Sequence, residues 1–342
     1  MAAAARAAAL AALGLLACVM AARADTLRVG PGQRFAQPSE AIRAAASGDT
    51  VLIAPGTYYD CAVIAANGVT VAGDGDGVVM TDKVCFGKAI LIAAGTDVTV
   101  RNLTLARARV PDRNGAGIRA EGHNLSVENV RFVDNEDGLL AASVPGSTLR
   151  IAGSVFERNG SCAERRCGNA LTVGEIATLR VTDTRFGDAR GGRAVESQAA
   201  RTELVGDELS DAPDGVAGAL VGLPEGGDLL VQDCRFRLGP RTAAPRTAVL
   251  VGESGGGPAG ARQVIARNRL TVEGGVPATL LLNWGDARPA LADNVVPAGA
   301  EAESTRGALW NRLHGELYTM KLTAERAAGL AKRLLARVLA RG

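Results

Sequence analysis

Residues 97–105, Asp97-Val98-Thr99-Val100-Arg101-Asn102-Leu103-Thr104-Leu105, set out a phrase that returns as Leu125-Ser126-Val127-Glu128-Asn129-Val130-Arg131-Phe132. Its template is apolar-x-apolar-x-Asn-apolar-x-apolar. Further copies run from Leu149 to Phe156 with Gly153 at the Asn position, from Leu179 to Phe186 with Asp183, and from Leu229 to Phe236 with Asp233. Weaker ones end at Leu209, Leu270 and Val296. From Leu105 the closing apolar position recurs at 132, 156, 186, 209 and 236, in steps of 27, 24, 30, 23 and 27 residues. Strand-like alternation repeated at that period is the signature of a solenoid of stacked β-coils.

The alternation breaks phase at the Asn, since Val127 and Asn129 share one parity and Val130 and Phe132 the other. A sharp bend accounts for the break, because Asn tolerates left-handed backbone and Gly153 or Gly206 adopts it freely. The bend amides are expected to point inward and hydrogen-bond from coil to coil as a ladder. Phe132, Phe156, Phe186 and Phe236 are four of the chain's six phenylalanines. All close the phrase, so they are expected to stack as an internal column. A second strand precedes each phrase and places Ile118, Ala120, Leu139, Ala141, Leu171, Val173 and Val195 inside the tube.

Outward from this core, Ser39 to Ser47 reads as a short helix with Ser39 as N-cap and Ile42, Ala45 and Ala46 on one face. Gly48-Asp49-Thr50-Val51 and Pro55-Gly56-Thr57-Tyr58 follow it. Helix, Gly-Asp-Thr-Val and Pro-Gly-Thr-Tyr together resemble the opening of right-handed parallel β-helix proteins of the pectate-lyase-like superfamily. The Asn-bearing coils extend the resemblance over about residues 26–300. It implies an all-β, right-handed parallel β-helix of nine to ten coils with an N-terminal capping helix and a C-terminal helical segment. Three regions are expected: an export signal at 1–24, the β-helix at 25–300, and a basic amphipathic helical segment at 301–342.

In the first region Arg6 precedes an apolar run from Ala7 to Cys18, and Ala22-Arg23-Ala24 is a small-x-small cleavage site. Periplasmic or secreted localisation follows. Leu15-Leu16-Ala17-Cys18 offers the alternative of a lipoprotein anchored at Cys18. In the last region Leu313, Leu317, Met320, Ala324, Ala327 and Ala331 keep helical spacing, with Lys332, Arg333, Arg337 and Arg341 late. Such a segment covers the final rung or lies on a membrane or protein partner. Export permits disulfides. Cys61 and Cys85, 24 residues apart, fall on adjacent rungs; Cys162 and Cys167 close a small loop; Cys234 takes an inward slot as a buried free thiol.

With 47% hydrophobic and 22% charged residues, the chain can bury a sizeable core. A net charge of +2 argues against a nucleic-acid partner, and a monomer is expected. The superfamily places its glycan groove along one parallel sheet, walled by loops. The sheet-borne candidates are Arg119 and Glu121. Richer turns precede that sheet: Arg107, Arg109, Asp112 and Arg113 in one, Glu136 and Asp137 a coil later, Glu164, Arg165 and Arg166 after that. Guanidinium groups suit uronate carboxylates bidentately, and the acids suit acid/base work or Ca²⁺, with no other cofactor expected. His123 sits at a turn and reads as solvated.

Catalytic motifs of the resembled enzymes are missing. There is no Gly-His-Gly with paired Asp as in polygalacturonase-like hydrolases, no Asp-Pro-His as in alginate epimerases, and no Arg-x-Pro-x-x-Arg as in pectate lyases. The resulting expectation is an exported cell-envelope protein that binds acidic polysaccharide through arginine-rich turns, with catalysis left open. The alternatives are a polysaccharide lyase or glycoside hydrolase with a diverged site, and a non-catalytic scaffold docking through its C-terminal helix.

Overall fold

Seven successive coils between Val98 and Val272 turn their first corner with only two residues, and the first of the two is always left-handed. These are Asn102, Asn129, Gly153, Asp183, Gly206, Asp233 and Arg267, with φ of 56, 52, 57, 49, 72, 56 and 56°. The phase break in the sequence is therefore a backbone corner. In this computed structural model the described residues are 24–305, apart from 164, 165, 214, 256, 259 and 276.

The corners fold the chain into three parallel sheets, each coil adding one strand to each. Sheet A holds eleven strands such as Leu125–Glu128, sheet B nine such as Arg131–Val133, and sheet C ten such as Asp137–Ala141. Nine coils among the described residues carry all three, forming a right-handed parallel β-helix. Register is kept coil by coil: Leu125 pairs with Val98 and Leu149, and Phe132 with Leu105 and Phe156. A first strand, Thr26–Val29, already pairs with Thr50–Ile53 before the helix intervenes. Sheet C runs on to Ala300–Thr305, past the boundary expected at 300. The export signal, Ala24 aside, and the helical spacing beyond 307 lie outside the described residues.

Inside the tube the expected column is present. Phe132, Phe156 and Phe186 stack with ring centroids 4.4 and 4.7 Å apart and planes within 10 and 11°. All three are at most 1% exposed, as is Phe236 beyond Leu209. Ile118, Leu139, Leu171 and Val195 form a neighbouring file on sheet C.

Two expectations need correction. The short helix α1 spans Pro38–Ala44, with Gln37 and not Ser39 at its N-cap. Glu40 accepts the backbone N–H of Gln37 at 3.1 Å, and Pro38 supplies the fixed φ that suits a first turn. Its buried face is Pro38, Ala41 and Ile42; Ala46 is exposed. Second, the bend asparagines do not point inward. Asn102 and Asn129 are exposed, because a left-handed residue at this corner turns its side chain out. The coil-to-coil amide bond expected of them nevertheless forms on the outer edge, where Asn129 Nδ2 donates to Asn102 Oδ1 at 3.4 Å.

Buried amide ladders sit elsewhere. Asn135 Nδ2 donates to Asn159 Oδ1 at 3.0 Å, and Asn268 Nδ2 to Asn294 Oδ1 at 3.0 Å. The second ladder belongs to an inward file that follows the corner directly: Ser154, Thr184, Asp207, Cys234, Asn268 and Asn294. Cys234 is the buried free thiol expected there, pushed up to about 12 by burial and then by Asp207.

Two disulfides form as the spacing indicated. Cys61–Cys85 joins adjacent coils with Cα atoms 5.5 Å apart, and Cys162–Cys167 closes a two-stranded antiparallel hairpin. Replacing both Cys162 and Cys167 by Ser should make local opening of this hairpin easier by about 2 kcal/mol. The expected result is faster protease cleavage within the hairpin and an unmoved global midpoint, since no core residue changes. A drop in the global midpoint would show that the hairpin supports the stack.

Candidate functional site

A second column of left-handed residues lies two positions beyond the core file on sheet B: Asp82, Arg107, Asp134, Arg158 and Asp188, with φ from 53 to 61°. Each opens the turn that leads from sheet B to sheet C. Charge alternates down the column, so neighbouring coils meet as opposite signs. Arg107 Nη2 pairs with Asp82 Oδ2 at 2.6 Å, which holds the Asp82 carboxyl below its usual range.

Four of these turns enclose a cleft of ≈ 590 Å³ lined by Arg109, Arg113, Glu136, the Cys162 loop and Arg190. That volume falls in the ~300–1,000 Å³ range of ligand sites. Its walls are built by carboxylates from the inside. Glu136 is 6% exposed, and its Oε2 accepts the N–H groups of Val110 and Gly115 at 2.9 and 3.0 Å. It thereby closes the loop that presents Asp112 and Arg113, both exposed. Asp137, 2% exposed, accepts the Asn169 N–H at 2.8 Å and fixes the exit of the disulfide hairpin. Asp134 draws in Arg109 at 2.8 Å and also pairs with Arg190. Arg109 Nη1 donates to the Ala108 carbonyl as well. Arg113 makes no ion pair among the described residues, and Arg190 shares one acid with Arg109.

The expected site residues thus separate into groups. Arg109, Arg113 and Glu136 line the cleft, with Asp112 on its loop. Arg107 belongs to the bend column. Glu136 accepts two backbone N–H groups and Asp137 one, so both anchor the loops around the cleft. Among the described residues no group of three or more His, Cys, Asp or Glu converges to hold a metal ion. Glu164 and Arg165 lie outside the described residues, and of Arg166 only the backbone, paired with Ala163, is described.

Arg119 and Glu121 stand apart, on the outer face of sheet C. Glu121 Oε1 accepts Lys88 Nζ at 2.7 Å and lies 3.7 Å from Arg119 Nε. Register places Arg119, Leu140, Thr172 and Glu196 on four successive rungs. Glu121 and Glu196 are therefore too far apart for paired-acid glycoside hydrolysis, which needs roughly 5–9.5 Å. His123 is exposed at its turn. Sequence reading missed Arg190, although Asp188 two residues after Phe186 marks its turn as one of the same column.

No protein-family model matches the chain, and no curated protein matches it. Solved structures do. An alginate lyase from Paenibacillus sp. str. FPU-7 superposes with a TM-score of 0.59 at 14% identity, covering 83% of this chain and 98% of that one. Pectate lyase Pel9A gives 0.46 at 15% identity over 78% and 73%, and pectin methylesterase PemA from Erwinia chrysanthemi 0.45 at 12% over 83% and 93%. The first of these places the chain in the same fold along nearly its whole described length.

Proposed function

We propose that the protein is an exported, non-covalent binder of acidic polysaccharide that holds uronate carboxylates in the cleft between the sheet B and sheet C turns. The observation that carries this reading is the cleft's use of charge. Its acids are buried on backbone donors or shared, while Arg113 is exposed and makes no ion pair among the described residues. A carboxylate-bearing chain supplies such a partner, and a planar guanidinium binds it bidentately. The fold shared with an alginate lyase supports a polysaccharide of this class, and two disulfides accord with an oxidising compartment.

Arg113→Ala combined with Arg190→Ala should weaken binding to polyuronate by about tenfold for each ligand-bound guanidinium removed. The loss should shrink in high salt, because exposed charges are screened. Titration calorimetry against alginate and polygalacturonate measures it. Unchanged affinity of the double variant removes the cleft from the reading, and growth of absorbance from unsaturated sugar ends would make the protein a lyase.

A further inference from the structure

One coil before the cleft, the turn Cys85-Phe86-Gly87-Lys88 closes with a 2.9 Å bond from the Lys88 N–H to the Cys85 carbonyl. Both central residues have positive φ, 53° at Phe86 and 62° at Gly87, as in a type I′ turn. The first central position of such a turn belongs by preference to Asn, Asp or Gly. A phenylalanine there is disfavoured twice, by its backbone and by leaving its ring 80% exposed. Strain of this kind at an exposed residue points toward function.

A second aromatic side chain accompanies it. Tyr59 is 67% exposed in the preceding turn of the same row, while its neighbour Tyr58 is buried. Among the described residues these are two of the four large hydrophobic side chains left exposed. The Cys61–Cys85 disulfide joins their two turns with Cα atoms 5.5 Å apart. Tyr59 lies two residues from one cysteine and Phe86 one from the other, so their Cα atoms are at most about 17 Å apart. The pair is anchored further: Asp60, 3% exposed, accepts the Ser39 N–H at 2.7 Å and pairs with Lys83 at 3.6 Å. Arg107 pairs with Asp82, which opens the turn that carries Phe86, so the aromatics adjoin the arginine row.

We infer that Tyr59 and Phe86 form a rigid platform on which sugar rings stack, extending the arginine cleft into one binding track across successive turns. Aromatic faces suit the apolar C–H face of a pyranose ring and lose little freedom on binding, because each ring has two rotatable bonds. The platform supplies grip that does not depend on the sugar's charge, and the arginines select the charged residue beside it. This rests on the polysaccharide reading above.

Phe86→Asn, a residue the turn prefers, paired with Tyr59→Ala tests the inference on the full chain against a uronate oligosaccharide and a neutral β-linked glucan oligosaccharide, each at low and at 0.5 M salt. The expected result is at least a tenfold loss toward the uronate oligomer at both salts. The melting temperature should hold or rise, since Asn relieves the turn. The Arg113 and Arg190 variant should lose affinity mainly at low salt, and residual binding of the neutral oligomer should vanish only in the aromatic variant. Full affinity in the aromatic variant, with the arginine variant weakened, overturns the platform and leaves the cleft standing. Absence of binding of either oligomer to the unaltered protein overturns both.

Discussion

Phe156→Ala should cost about 4 kcal/mol of unfolding free energy, near the top of what a single truncation in this core removes. The ring is 1% exposed and lies between Phe132 and Phe186, with centroids 4.4 and 4.7 Å away. Its loss leaves a cavity that the adjoining coils cannot fill, because hydrogen bonds to both neighbouring coils fix the height of the rung. Two stacked contacts disappear along with the buried area. Phe156→Leu should cost less than about 1.5 kcal/mol, since Leu105 and Leu209 already occupy the same file on other rungs. Denaturant titration of the two variants checks the difference. Equal losses would mean that ring stacking, which both variants remove, outweighs the filled volume.

The second large effect has the opposite sign. Asp207 is fully buried in the inward file, and its Oδ2 has no hydrogen-bond partner. Burial, with the charge of Asp183 adding, raises its pKa from 3.8 to about 7 against the amide hydrogen bonds of Thr184 and Val205. Between those two values the folded protein holds a proton that the unfolded chain has released. Stability therefore falls as pH rises through that window, and above pH 7 the full penalty, on the order of 3–4 kcal/mol, is present. Asp207→Asn removes it. Asn268 shows that the slot accepts an amide: its Oδ1 takes the Cys234 N–H at 2.9 Å and its Nδ2 donates to the Val231 carbonyl at 2.9 Å. By the same repeat an amide at 207 keeps the Thr184 N–H bond and reaches the Val181 carbonyl. The expected gain is roughly 2–3 kcal/mol at pH 8 and little at pH 4. Unfolding curves of the two proteins that run parallel from pH 4 to 8 would sink this account.

The corner at Asn102 and Asn129 was legible because a phase break in an alternating pattern leaves few explanations, and Asn and Gly share the left-handed conformation it needs. Which way the corner side chain points was not legible. Parity fails at a bend: the inward slot belongs to the next residue, as read for Cys234, and the corner residue itself is turned out. The second bend column hid for a related reason. Its occupants alternate between Asp and Arg, and arginine at positive φ is too rare to be read as a turn signal. In the site, the arginine-rich loops stood out by composition. The roles of Glu136 and Asp137 did not, because a carboxylate that accepts backbone N–H groups looks the same in sequence as one that faces a ligand.

The two-residue corner between sheets A and B also sets what the molecule can tolerate. Elsewhere around the coil the linkers differ in length: nine residues join Ala106 to Ala116, and three join Val133 to Asp137. At the Asn129 corner one inserted residue would shift the parity of the strand that follows, carrying Phe132 to the solvent side and Arg131 inward, whereas the four-residue corner between Thr70–Gly73 and Val78–Thr81 adds two and keeps parity. That corner acts as the ruler of the stack, and the sheet B to sheet C margin as its blank page. New loops can be written there coil by coil, and recombination between copies of the repeat would change what the surface grips without disturbing the frame.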